Sequence, residues 1–192
     1  MPFVQHEAWA MLVFELSVAA FAVGELLQAV KWRRAASAVD LRGEIVYRLV
    51  LFAAILVLPL GLRLAPVGVM QGPAIFVVGA IIGWSGLLLR WWSIRTLGVH
   101  FTFVIKTSTD QAVIDLGPYR FLRHPSYSGV LAAFLGCALM LGNWVGAIAS
   151  ILLLFGGLLY RLLREEQVMV AAFGDTYVDY AKRRARLIPF LW

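Results

Sequence analysis

Cysteine and charged side chains are both scarce in this chain. Cys137 is the single cysteine among 192 residues, which excludes an intramolecular disulfide and a zinc cluster built on thiolates. Charged residues make up 15% of the sequence and hydrophobic residues 61%. Ordinary soluble domains carry roughly 25% charged residues. This balance is typical of an integral membrane protein.

Five apolar runs approach or reach the length of about 20 residues that a helix needs to cross a bilayer. They cover residues 8–30, 45–62, 73–89, 127–141 and 144–163. The first run contains Glu15 and Glu25 and has no basic segment before it, so we interpret it as a true span and not as a cleaved signal peptide. We therefore expect an all-α integral membrane fold with five transmembrane helices. Residues 1–192 form one membrane domain, in which an N-terminal helical pair at 1–72 precedes a core at 73–192 that includes a cytoplasmic loop at 98–125 and interfacial tail helices at 165–192.

The positive charges predict an orientation for this bundle. If the chain crosses the membrane five times, all of its 17 lysines and arginines except Arg63 fall on one side. Cytoplasmic loops carry the excess of Lys and Arg, so the N-terminus is predicted outside and the C-terminus in the cytoplasm. The loop before the fourth run and the tail after the fifth then share the cytoplasmic side. Since no basic patch stands apart from the membrane flanks, we expect no nucleic-acid binding.

A turn and several small residues distinguish the last two runs. Gly142 and Asn143 predict a tight turn, which makes these two runs an antiparallel hairpin. Small residues let helices approach closely in lipid. Five glycines are expected to do so here: Gly129, Gly136, Gly146, Gly156 and Gly157.

Two carboxylates lie within the first run. Glu15 and Glu25 are candidates for a functional role, because intramembrane charges usually face protein or water. Glu25 also lies about one turn from the basic flank that begins at Lys31, so it could simply extend to the lipid headgroups. Both interpretations stay open at this point.

The segment GPYRFLRHPSYSG, at 117–129, is a cationic and aromatic stretch directly before an apolar run. Pro125 suits the first turn of a helix, so the fourth helix is expected to begin at His124-Pro125. The free N–H groups and dipole of that helix start could bind an anion, although an ordinary capped helix start explains the same pattern. The preceding stretch, 98–124, mixes β-branched and aromatic residues with turn formers, which predicts short extended pieces, and loops of that length usually serve a function.

The tail has helical spacing of apolar residues from Val168 to Tyr180, interrupted at Gly174. This pattern predicts two short amphipathic helices on the membrane surface. Just before them, Arg161 and Glu165 are four residues apart and share one helix face, whereas Glu166 points elsewhere. The pair could be an ordinary intrahelical ion pair. Arg161 is also well placed, at the membrane boundary, to bind a carboxylate that arrives from the lipid.

In combination, GPYRFLRHPSYSG, the Gly-Asn turn, RLLREE, FGDTYVDYAKR and the terminal LIPF resemble the isoprenylcysteine carboxyl methyltransferase family, which is related to the phospholipid N-methyltransferases. The resemblance runs from about Arg90 to Trp192, with all of these elements in order, and leaves the first two runs without a signature. Members are integral membrane enzymes that use S-adenosylmethionine. The resemblance implies methyl transfer to a lipophilic acceptor that enters from the bilayer, with carboxyl O-methylation of an isoprenylcysteine-like molecule as the specific expectation and S-adenosylhomocysteine as the by-product.

The resemblance also implies roles for individual residues. Arg161 would bind the acceptor carboxylate, and positioning would supply the acceleration, because an ionised carboxylate needs no general base. Arg120 would be a headgroup anchor, and Arg123 either an anchor or a cofactor contact. The methionine part of the cofactor would be held by His124, Pro125, Ser126 and Tyr127, with Glu165 closing the site from the tail. The adenine and ribose would be enclosed by Gln111, Ala112, Val113, Ile114 and Tyr119, with Lys106 nearby.

Other acceptors and another class of function remain open. A phospholipid amine would have to lose a proton before transfer, so Glu165 or Glu166 would serve as a base. Another prenyl acid or a small lipophilic thiol is a further alternative acceptor. A protein of a different class would keep this fold as a catalytically silent membrane interaction module.

Overall fold

The computed structural model describes residues 2–35, 41–70, 72–98 and 114–189. Its regular structure is helical, as the apolar runs predict. The α-helices are α1 (Ala8–Ala35), α2 (Leu41–Leu64), α3 (Pro73–Leu97), α4 (Pro125–Leu141), α5 (Trp144–Phe173) and α6 (Asp175–Lys182). Short 3-10 turns occur at Phe3–Gln5, Pro66–Gly68 and Gly117–Arg120. The predicted all-α class is confirmed.

Four of these helices are long and apolar enough to cross a bilayer, along Ala8–Leu27, Ile45–Leu64, Pro73–Leu97 and Trp144–Phe173. The chain is thus a multi-pass membrane protein. The fourth predicted run forms α4, a shorter apolar helix of 17 residues. At about 1.5 Å per residue it is ~26 Å long, slightly less than a hydrocarbon core of about 30 Å. It begins at Pro125 with His124 as its N-cap, as predicted.

Glycines determine which helices pack together. A Cβ at Gly136 of α4 would collide with the backbone of Gly83 in α3, so these two helices touch backbone to backbone. On the other side of the hairpin, a Cβ at Gly146 of α5 would lie 3.2 Å from the Cα of Gly61 in α2. The sequence suggested that the hairpin glycines let its own two helices approach each other. Instead they join α4 to α3 and α5 to α2. Gly156 takes part in neither contact, because a Cβ added there would meet nothing within 4 Å.

The turn between α4 and α5 is as tight as predicted. Gly142 has a φ of 72°, a left-handed conformation that favours glycine, and its N–H donates to the carbonyl oxygens of Ala138 and Leu139. Asn143 caps α5 by accepting a hydrogen bond from the Gly146 N–H at 2.8 Å. Its side-chain amide donates to the Gly61 and Ala65 carbonyls, which fastens the hairpin to the end of α2.

The four long helices run past the ends that the apolar runs predict, and α3 and α5 do so by the most residues. α3 continues through Arg90 and Ser93, which are buried in the bundle and not in a loop. α5 continues to Phe173, so the first of the two predicted tail helices is part of the membrane helix. Nothing between Leu163 and Gly174 breaks a helix, and Glu166 is packed inside. The predicted break at Gly174 is correct, since its φ of 54° ends α5 before α6 begins.

The loop expected at 98–125 is only partly described, because residues 99–113 lie outside the described ranges. From 114 onward it contains the turn Gly117–Arg120 and an isolated parallel β-bridge between Leu122 and Ala185. This bridge brings the loop against the tail at the end of the bundle where α4 begins and α5 leaves it.

Candidate active site

The first turn of α4 is held in place by the C-terminal tail. The backbone N–H groups of Arg123 and His124 donate to the carbonyls of Ala185 and Arg186, at 2.8 and 3.1 Å. The Ser128 hydroxyl donates to the Leu187 carbonyl at 2.6 Å. These bonds fix where His124 stands and therefore where the helix starts.

Tyr127 joins the two residues that the sequence placed on one face of α5. Its hydroxyl donates to the Glu165 carboxylate at 2.6 Å and accepts from Arg161 Nε at 2.8 Å. Arg161 is buried, with 7% of its surface exposed, whereas the Glu165 side chain is 36% exposed. One phenol thus sets the spacing between a buried cation and a carboxylate that solvent still reaches. The sequence predicted Arg161 at the membrane boundary, and the structure shows that its side chain is buried in the bundle.

His124 packs against this group. Its ring is stacked on the Tyr127 ring, with centroids 5.5 Å apart and planes 8° from parallel. Its Nε2 lies 3.4 Å from Glu166 and its Nδ1 lies 3.9 Å from Glu165. The imidazole therefore lies between the two adjacent carboxylates of α5.

Glu166 anchors the loop and the tail together. Its carboxylate forms ion pairs with Arg123 of the loop and, at 3.1 Å, with Arg186 of the tail. Arg123 also donates from Nε to the Arg184 carbonyl at 3.1 Å. Arg123, which the sequence left undecided, thus holds protein segments to each other. Arg120, by contrast, is exposed.

A second buried cation lies behind the first turn of α4. Arg90 of α3, 3% exposed, donates to the Ser126 hydroxyl at 2.9 Å and to the Glu25 carboxylate at 2.6 Å. Glu25 therefore faces the bundle interior and not the headgroups. Its position in an apolar run was the one sequence signal for this pair, since nothing marked Arg90 as anything but a flanking charge. Glu15 is exposed on α1.

Tyr119 lies in the loop, buried beneath α6. The Tyr180 hydroxyl donates to its carbonyl at 2.9 Å. Burial, together with the negative charge of Glu165, raises the pKa of the Tyr119 phenol well above its usual value, so the group is neutral. The loop is fastened further by an ion pair between Arg184 and Asp115 at 2.8 Å.

Of the residues predicted for the site, the structure brings together His124, Ser126, Tyr127, Arg161 and Glu165. Pro125 and Tyr119 are buried beside them and Ile114 is half-buried at the start of the described loop. Lys106, Gln111, Ala112 and Val113 lie outside the described residues. Sequence reasoning missed Tyr47 of α2, whose ring lies 4.6 Å from the Arg161 guanidinium carbon. No pattern in the second run pointed to it.

Comparisons with known proteins show what the chain is similar to. A model of the family "Phospholipid methyltransferase" matches residues 74–176. Protein-S-isoprenylcysteine O-methyltransferase B of Arabidopsis thaliana is 36% identical over 108 residues, which is 55% of this chain and 55% of that protein. The A form from the same plant is 34% identical, over 59% of this chain and 58% of its own length. The Schizosaccharomyces pombe protein-S-isoprenylcysteine O-methyltransferase is 32% identical, over 55% and 46%.

A solved structure, that of a eukaryotic intramembrane Ras methyltransferase, isoprenylcysteine carboxyl methyltransferase, shares the fold. It matches with a TM-score of 0.59 and 24% identity, over 76% of this chain and 52% of that one. The chain spans about half the length of the curated relatives it matches. The matched family segment includes α3, α4 and α5, the helices that carry Arg90, Tyr127 and Arg161. The resemblance seen in the sequence is confirmed, and the chain belongs to the phospholipid methyltransferase family.

Proposed function

We propose that this protein is an S-adenosylmethionine-dependent membrane methyltransferase that acts on the carboxylate of a lipophilic, isoprenylcysteine-like acceptor. The observation that carries the proposal is the Tyr127 hydroxyl, which holds buried Arg161 beside half-exposed Glu165. The names of the relatives from Arabidopsis and Schizosaccharomyces pombe support the same chemistry.

The residues around α4 suit S-adenosylmethionine, which carries an anionic carboxylate, a cationic ammonium and ribose hydroxyls. The carboxylate suits the positive end of the α4 dipole, where the Ser126 hydroxyl is held by Arg90. The ammonium or the ribose suits Glu165, the carboxylate of the cluster that solvent reaches. When bound, this cofactor supplies a methyl group on a positively charged sulfur.

The proposed cofactor contacts keep the roles that the family resemblance implies. His124, Pro125, Ser126 and Tyr127 hold the methionine part, and Glu165 closes the site. Tyr119 and Ile114 enclose the adenosine part, together with Lys106, Gln111, Ala112 and Val113 of the undescribed loop.

Arg161 binds the acceptor carboxylate in this proposal. The guanidinium is buried against the rings of Tyr47 and Tyr127, where an electrostatic contact is stronger than in water. Because an ionised carboxylate is already a nucleophile, the chain needs to orient it and to keep water away, and no side chain has to remove a proton.

We place the site in the cytoplasm, with the N-terminus outside. Glu25 of α1, Arg90 of α3 and Arg161 of α5 lie at the end of the bundle where α4 begins. In a chain that crosses five times, the sequence puts every lysine and arginine except Arg63 on that side. The excess of Lys and Arg marks the cytoplasmic side.

A phospholipid amine is the second candidate acceptor. The name of the matching family model favours it, and so does the access of solvent to Glu165, which could take the proton that an ammonium must lose. The two acceptors make opposite demands on Arg161, because a cation helps to bind a carboxylate and repels an ammonium.

The test is binding and methyl transfer with the purified chain in detergent. We expect calorimetry to detect S-adenosylmethionine binding that His124→Ala and Glu165→Ala abolish and that Arg120→Ala, a change at an exposed side chain of the same loop, leaves intact. Labelled methyl should pass to N-acetyl-farnesylcysteine, and Arg161→Ala should raise the KM for that acceptor. No measurable cofactor binding would contradict the enzyme and favour the silent interaction module. Transfer to phosphatidylethanolamine alone would select the amine acceptor, and unchanged activity of Arg161→Ala would remove the role of Arg161.

A further inference from the structure

Helix α2 contributes a side chain, Tyr47, that lies against Arg161, the residue proposed to bind the acceptor. Tyr47 lies in the first half of α2 and is 4% exposed. The guanidinium carbon of Arg161 lies over its ring, 4.6 Å from the centroid. The same carbon is 5.9 Å from the centroid of the Tyr127 ring. Arg161 is therefore in contact with aromatic side chains from both α2 and α4.

This packing fixes the plane of the guanidinium. A cation over an aromatic face is attracted to the ring, and the attraction is larger where water is excluded. In the plane of the group, Arg161 Nε donates to the Tyr127 hydroxyl at 2.8 Å. The contact with the ring and the bond from Nε together restrict how the group can turn. They therefore restrict the directions in which its terminal nitrogens can point.

The direction of the terminal nitrogens matters because carboxylates bind arginine in its plane. Two parallel N–H···O bonds form only when the guanidinium and the carboxylate are nearly coplanar, which gives arginine geometric selectivity that a lysine lacks. A guanidinium free to rotate would lose part of this selectivity. A leucine in place of Tyr47 would fill the space but would provide no attraction for the cation.

We infer that Tyr47 is a positioning residue that orients Arg161 for a coplanar carboxylate and so makes the site select carboxylate acceptors. This inference rests on the proposed function, in which Arg161 binds the acceptor. It assigns a role in recognition to α2, which lies before the segment matched by the family model.

The test compares Tyr47→Leu, Tyr47→Phe and Leu51→Ala. Leu51 is one turn further along α2, belongs to the same buried cluster and serves as the packing control. Tyr47→Leu should raise the KM for N-acetyl-farnesylcysteine about tenfold, equivalent to ~1.4 kcal/mol. The dissociation constant of S-adenosylmethionine should change by less than about twofold, since the ring of Tyr47 lies against Arg161, the proposed acceptor residue. Tyr47→Phe keeps the ring and should restore most of the affinity for the acceptor.

A neutral analogue separates recognition from packing. The carboxamide of N-acetyl-farnesylcysteine has the same tail without the charge, so its inhibition constant should be the same in Tyr47→Leu and in the unmodified chain. If the carboxamide weakens as much as the carboxylate, or if Leu51→Ala raises the KM equally, Tyr47 acts by packing and the inference is overturned. An unchanged KM in Tyr47→Leu overturns the inference but leaves the proposed function standing. If the unmodified chain binds the cofactor but transfers no methyl to the carboxylate acceptor, the proposed acceptor and this inference fail together.

Discussion

Arg90 of α3 and Glu25 of α1 form a buried ion pair, with Arg90 Nε 2.6 Å from the Glu25 carboxylate. The same guanidinium donates to the Ser126 hydroxyl at the start of α4. Three helices thus meet at one side chain that is 3% exposed. A charge in that position is stable only while its partner is present.

Glu25→Leu should therefore lower the free energy of unfolding in detergent by about 2–3 kcal/mol. This loss is smaller than for a fully buried ion pair, because the Glu25 side chain is 21% exposed. Adding Arg90→Met should recover part of the loss, since it removes the stranded cation. Glu15→Leu, at an exposed position of the same helix, is the control and should have little effect. Strictly additive losses in the double variant would mean that the pair does not act as a unit.

Gly136→Ala should destabilise the chain by about 1–3 kcal/mol, because the new methyl group would collide with the Gly83 backbone. Gly156→Ala is the matched control in the next helix. Its added Cβ meets no heavy atom beyond its own helix within 4 Å, so it should be neutral or stabilising by up to about 1 kcal/mol. Thermal unfolding in detergent measures both. Equal behaviour of the two variants would contradict the close contact of α3 and α4.

Glu166→Gln should loosen the tail, because it removes the negative charge shared by Arg123 and Arg186. We expect tryptic cleavage after Arg183 and Arg184 to become about tenfold faster, as for a loss of ~1.4 kcal/mol in tail attachment. Asp179→Asn breaks the exposed pair with Lys182 and should leave the cleavage rate unchanged. If both variants are cleaved at the same rate, the ion pairs of Glu166 do not contribute to holding the tail.

Tyr180→Phe should cost about 1 kcal/mol near neutral pH, because it removes the hydrogen bond to the Tyr119 carbonyl. Burial and the Asp115 carboxylate raise the pKa of Tyr180 to about 12. The unfolded chain loses this proton near pH 10, about two units earlier. The contribution of Tyr180 is therefore complete below about pH 10 and is lost between about pH 10 and pH 12. Between about pH 10 and pH 12, the free energy of unfolding should decline less in Tyr180→Phe than in the unmodified chain. Tyr160→Phe, at an exposed position, is the control and should behave like the unmodified chain.

The helices and the membrane class could be predicted from apolar runs, because lipid requires every backbone group to be bonded within a helix. The start of α4 at Pro125 and the turn at Gly142 were equally predictable, since proline and glycine restrict the backbone locally. Helix ends were not, because α3 and α5 continue for as long as the bundle buries them. Arg90 and Glu166 reveal this, as both are buried beyond the ends of the apolar runs.

Part of the candidate site could be predicted from the sequence. His124, Tyr127 and Glu165 stand in the motifs that carry the family resemblance, and the structure brings them together. Tyr47 and the Glu25–Arg90 pair depend on contacts between residues far apart in the chain, which a single sequence does not encode at any fixed spacing. The sequence also did not show which helices pack together, because a glycine indicates that another helix can approach closely but not which one.

The division of the hairpin between two partners has a consequence for assembly. α4, which bears Tyr127, is seated on α3, and α5, which bears Arg161, is seated on α2. Neither helical pair by itself contains the phenol and the guanidinium together. The 2.8 Å bond between these two side chains therefore joins the α3–α4 pair to the α2–α5 pair, and the site belongs to the seam between the two.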